Sequence, residues 1–134
     1  MSNMEANELR IGNVLNAVVS NGVEVFTFNE IVVDELTKDG MKDEKGFRFP
    51  YDTIVGIPLN EWWLLEFGFF HSESLDMYLL KIQKEKWICW NKDKGITLQD
   101  VNRTLFEYKK IKYVHQLQNL YFATQQEELK LEQS

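Results

Sequence analysis

Ile111-Lys-Tyr-Val-His-Gln-Leu-Gln-Asn-Leu-Tyr-Phe-Ala123 is the stretch that decides how this chain folds. Val114, Leu117, Leu120 and Tyr121 recur at i, i+3, i+6 and i+7, which puts four apolar side chains on one stripe of an α-helix. His115, Gln118, Asn119 and Phe122 fall on a neighbouring face. Such a helix must bury its stripe against another layer, and most of the preceding chain reads as strand. The fold class is therefore α+β, ending in a helix.

Working back towards the start, Asp76–Gln83 and Lys86–Asn91 read as a β-hairpin, Ile96–Asn102 is ambiguous, and Leu105–Ile111 leads into the helix as a strand. Pro58 breaks the strand pattern before them. Asn60 then stands where an N-cap belongs, with Glu61 in the first turn and Gly68 past the end, so Asn60–Phe67 is expected to be a short helix. Further upstream, Val14–Val19 and Val23–Phe28 flank Ser20-Asn21-Gly22, and Asn-Gly is a strong hairpin signal. Glu30–Leu36 reads as a third strand and Thr37–Gly46 as a charged loop. Phe47–Tyr51 reads as an edge strand, because Pro50 has no amide to donate. Thr53–Ile57 closes this half. Short strands at this spacing suggest a small curled antiparallel sheet or SH3-like barrel.

One domain of 134 residues is expected: a disordered lead over 1–8, a β-rich part over 8–57, an α+β part over 58–126 and a polar tail over 127–134. The composition is that of an ordinary globular protein, 44% hydrophobic and 27% charged, but aromatics reach 13%. So many rings imply a well-anchored core, a sticky surface, or both. The net charge of −6 argues against a protein that coats DNA, because phosphate neutralisation supplies most non-specific affinity. It leaves room for a local basic patch. Cys89 is the sole cysteine, so neither an intramolecular disulfide nor a cysteine-based zinc site is expected. The polar, acidic start is unlike a signal peptide, and the longest apolar run, near Trp62–Phe70, is too short to cross a bilayer. The expected location is the cytoplasm, away from membranes.

Three stretches together resemble a family of small uncharacterised proteins encoded in phage, prophage and mobile-element regions of anaerobic gut bacteria. They are Glu8-Leu-Arg-Ile-Gly-Asn13, Ile57-Pro-Leu-Asn-Glu-Trp-Trp-Leu-Leu-Glu-Phe-Gly-Phe69, and Ile111–Ala123 followed by Glu127-Glu-Leu129. They cover about a quarter of the chain, in the family's order. Where members tend to have Thr, this chain has Asn60. Members tend to have a helix-stopping Gly near Gln126, which this chain lacks, leaving the end of its final helix open. The resemblance implies a shared fold and a mobile-element origin, and brings no catalytic residues with it.

The chain has no G-x-x-x-x-G-K-[ST], G-x-G-x-x-G or G-x-S-x-G motif. His71 and His115 lack metal-site spacing, and Cys89 lies in an apolar strand as a small buried hydrophobe. Asp39, Asp43 and Glu44, interleaved with lysines, read as a solvated loop without calcium-loop order. No catalytic residue, metal ligand or cofactor is expected. The leading expectation is a non-enzymatic accessory protein that binds another protein through Trp62, Trp63 and Tyr113, with His115 and Asn119 setting register. The alternative is a nucleic-acid-binding accessory that uses Lys109, Lys110, Lys112 and Tyr113, in which rings stack on bases and lysines hold phosphates. An edge strand guarded by lysines would read the same way.

Overall fold

The computed structural model describes residues 4, 6–83, 85–100 and 103–129. Two five-stranded antiparallel sheets, one in each half of the chain, are joined by two helices. Residues 1–3 and 5 of the expected disordered lead and residues 130–134 of the expected tail lie outside the described residues. Ala6–Glu8 form a 3-10 turn.

The first sheet comprises β1 (Val14–Ser20), β2 (Val25–Leu36), β3 (Gly40–Asp43), β4 (Arg48–Pro50) and β5 (Ile54–Val55), in the order β4-β3-β2-β1-β5. β2 runs unbroken through the two segments expected as separate strands. Glu30 sits in a bulge at φ +54°, and its amide donates to Asn16 Oδ1 at 2.9 Å. That bond satisfies the N–H the bulge takes out of the ladder. The expected charged loop contains β3. Asp43 is buried at its end, and its Oδ1 accepts from the amides of Lys45 and Phe47. The solvated-loop reading therefore fails for this carboxylate, which builds the turn into β4. One core cluster fills the curled sheet, including Leu15, Ala17, Ile31, Val33, Met41 and Phe49. β4 and β5 are joined by a 3-10 turn over Tyr51–Thr53, yet both remain edges. The sheet is open. Pro50 ends donation from β4 and β5 is two residues long, so the two edges have little ladder to share.

The second sheet is larger than the expected hairpin. It is a meander of β6 (Phe70–Ser72), β7 (Met77–Gln83), β8 (Lys86–Asn91), β9 (Gly95–Asp100) and β10 (Thr104–Tyr108), with strand order following chain order. The ambiguous segment is β9, apart from residues 101–102, which lie outside the described residues. Ile88 and Cys89 are both buried, so both faces of β8 are covered.

α1 (Glu61–Glu66) and α2 (Val114–Gln125) sit against this sheet and the back of β1. Asn60 caps α1 as expected, its Oδ1 accepting from the Trp63 amide at 3.1 Å. α2 begins where Gln116 Oε1 accepts from the amides of Lys112 and Tyr113. It ends at Gln126, a non-glycine residue in the left-handed region at φ +60°. The helix thus stops without a glycine, settling the end that the sequence left open. Val114, Leu117, Trp63, Leu64, Phe67, Ile88 and Ile96 form the second core. Leu129 joins them, so the expected tail is anchored at this point. No helix among the described residues is long and apolar enough to cross a membrane.

Candidate functional site

The three stretches that carry the family resemblance meet around the N-terminal half of α2. Gln118 Oε1 accepts from the Val14 amide at 2.9 Å and its Nε2 donates to the Gly12 carbonyl at 3.1 Å. Asn13 Oδ1 accepts from the Arg10 amide at 2.7 Å, and Asn13 Nδ2 donates to Asn119 Oδ1 at 2.8 Å. Asn119 Nδ2 in turn donates to the Glu8 carbonyl at 3.1 Å. Asn13 and Gln118 are buried, so this is a paired polar network inside the protein. The guanidinium of Arg10 lies 3.9 Å from the centre of the Phe122 ring, and both of its terminal nitrogens donate to Glu128 Oε1. The middle stretch joins from the other side. Val114 donates to the Ile57 carbonyl at 2.8 Å, and Leu59 donates to that of Lys112 at 2.9 Å.

Gly56 completes this clamp. A Cβ there would stand 2.8 Å from Tyr113 Cγ and 3.1 Å from His115 Cε1, so the two stacked rings occupy the space a side chain needs. His115 is 1% exposed, and neither of its ring nitrogens has a hydrogen-bond partner among the described residues. Burial holds its imidazole below the ordinary histidine range, with Glu8 pulling weakly the other way. The proton balance follows directly. The unfolded chain takes up a proton near pH 6.5 while the folded chain resists it, so stability is complete above that pH and falls as pH drops below it. His115→Leu is expected to flatten the fall in melting temperature between about pH 7.5 and 5.5, a window above most carboxylate titration. An unchanged slope would show that His115 is not the group responsible.

These facts redraw the expected interface. His115 is enclosed and Asn119 is bonded within the chain, so the polar face that was expected to meet a partner is already covered by residues 8–14. Trp63 is 5% exposed, packed edge-to-face on Trp62 at 5.0 Å and against Phe67. Burial of Trp63 follows from the helix: adjacent residues point about 100° apart, so only one of the two can face the core. Trp62 stays 54% exposed, with Leu65, one turn on, 51% exposed. Tyr113 is 39% exposed. Sequence reasoning missed Leu65, although its i+3 spacing from Trp62 was the available signal.

The alternative set divides as well. Lys109 and Lys112 line a groove of about 530 Å³, whose other wall carries Lys92 and Lys94 from the β8–β9 turn. Lys110 is exposed but does not line it, and neither does Tyr113. Lys92 and Lys94 carried no signal in the chain, being sequence-distant from the basic stretch. Among the described residues, no three His, Cys, Asp or Glu side chains are grouped to hold a metal ion. Burial pushes the Cys89 thiol up to about 11, so it stays protonated at neutral pH. No family model, curated protein or solved structure matches the chain.

Proposed function

We propose that this chain is a non-enzymatic protein-interaction module, an accessory protein of a phage or other mobile element, that docks through the outer face of α1. The observation that carries this is Trp62 held half in water on a helix whose opposite face is locked into the core. A tryptophan has about 150–250 Å² to bury. Trp62 therefore leaves on the order of 100 Å² uncovered, worth on the order of 2–3 kcal/mol if a partner covers it. Leu65 extends the same face. Glu66 lies beside Leu65 on the same short helix, so the complementary surface is an apolar slot rimmed by Lys or Arg. The anchor is preorganised: Asn60 caps the helix, and the Trp63 ring braces Trp62 edge-on.

The test is recovery of a partner from nuclease-treated host lysate, with wild-type chain against Trp62→Asp. Recovery of the wild-type partner should persist at high salt and fall at least tenfold in the variant, a loss of about 1.4 kcal/mol or more. The variant should still fold, with a stability loss of about 1–2 kcal/mol, because it gives up the edge-on contact with Trp63 and the covered part of the ring. Equal recovery by both chains would remove α1 as the docking face.

The same reading takes the first sheet as an SH3-like barrel left unclosed. Its strand order, the 3-10 turn between its edge strands and its single internal core support that. It also assigns the chain to the cytoplasm, where a lone buried thiol stays reduced.

A further inference from the structure

The geometry points to a second, independent site: the lysine-walled groove at one end of the second sheet binds single-stranded nucleic acid. This inference does not rest on the α1 reading and uses none of its residues. The groove, about 530 Å³, has two walls from distant parts of the chain. One is the β8–β9 turn, with Lys92 and Lys94. The other is the segment between β10 and α2, with Lys109 and Lys112. All four lysines are exposed, and among the described residues only Lys92 of the four has an ion-pair contact, to Glu61 at 3.9 Å. The walls also carry the carboxylates of Asp93 and Glu107, but four lysines outnumber them, so positive charge prevails locally on a chain whose net charge is −6. Between the walls lie Trp90, Leu59 and Ile111, each partly buried, giving an apolar floor.

This arrangement selects among anions. Asn91 Oδ1 already accepts from the amides of Asp93 and Lys94, at 2.8 and 3.3 Å. Those backbone donors are spent on the turn and do not form a cradle for one tightly held phosphate. What remains is flexible ammonium groups on two facing walls, which suits a linear polyanion with spaced charges. The apolar floor favours a chain that also offers flat faces. Unstacked bases do so, while a duplex keeps its bases stacked inside and an acidic peptide has none. Both walls are held in place: the β8–β9 turn by its bonds to Asn91 Oδ1, and the other by Lys112, whose amide donates to Gln116 Oε1 and whose carbonyl accepts from Leu59.

The experiment is fluorescence anisotropy of the full chain with labelled oligo-dT and oligo-U, across a salt series. A duplex of the same length and an oligoglutamate peptide serve as comparisons. Four lysines at about 0.7 each predict a log–log salt slope of at most about −2.8 for single strands. The double variant Lys94→Gln/Lys109→Gln, one from each wall, should weaken binding on the order of tenfold at low salt and flatten the slope by about 1.4. Preference between the two oligomers then tells DNA from RNA, and either supports the site. Absent binding at low salt, equal binding of the peptide, tighter binding of the duplex, or an unaltered double variant of unchanged melting temperature would each overturn it.

Discussion

Gln118→Leu is expected to lose about 3 kcal/mol of stability, seen as a melting temperature lower by roughly 10 °C. Leucine fills most of the glutamine's volume, so packing is nearly kept and the loss is polar. The Val14 amide and the Gly12 carbonyl both lose their partner, and a buried group left unpaired costs about 1–3 kcal/mol. Asn13→Ala should cost a comparable amount, because it releases the Arg10 amide and Asn119 Oδ1. The two changes should not add. Asn13 and Gln118 side chains lie 3.5 Å apart in one network, so their double-mutant coupling should exceed about 0.5 kcal/mol. A loss of under 0.5 kcal/mol for Gln118→Leu would place the bonds around it among ordinary surface contacts.

Gly40→Ala should release the outer edge of the first sheet. A Cβ at Gly40 would stand 2.3 Å from the Phe49 carbonyl oxygen and 3.0 Å from Pro50 Cα. Both are backbone atoms, so no rotamer change relieves the clash. The nearest relief is for β4, three residues long and paired on one side only, to come away from β3. That would uncover Phe49, now 3% exposed and edge-on to Phe28 at 5.1 Å. Lost burial and lost ladder bonds together amount to about 3 kcal/mol. The opening should be local. All four tryptophans lie outside the first sheet, at positions 62, 63, 87 and 90. Native tryptophan emission should therefore hold while amide exchange quickens in β3 and β4. Unchanged protection of those amides would show that the sheet absorbs the methyl group elsewhere.

Legibility in the sequence followed the strength of local signals. Asn-Gly marked the first hairpin, Asn60 and Gly68 bracketed α1, and the i, i+3, i+7 stripe marked α2. β3 was hidden because Gly40-Met-Lys-Asp43 offers one large apolar residue among charges, and what makes it a strand is pairing on both sides by β2 and β4. β2 looked like two strands because polar Asn29 and Glu30 interrupt it, and only Asn16 across the ladder makes that bulge affordable. The site was read less well for the same physical reason. Asn119 and His115 sit on the polar flank of α2, where periodicity alone points to solvent. The burial of His115 and the internal pairing of Asn119 depend on residues 8–14 and Gly56, which are remote in the chain. The lysine groove likewise needs two loops brought together by the second sheet.

The most direct measurement of the docking face is site-specific photo-crosslinking in the host cell, with the photoreactive residue placed at Trp62, at Leu65 and, as a control, at Val23. Val23 is 89% exposed on the far hairpin. The result expected is one dominant crosslinked protein shared by positions 62 and 65 and absent from position 23. The same products from all three positions, or none from 62 and 65, would contradict an interface on α1.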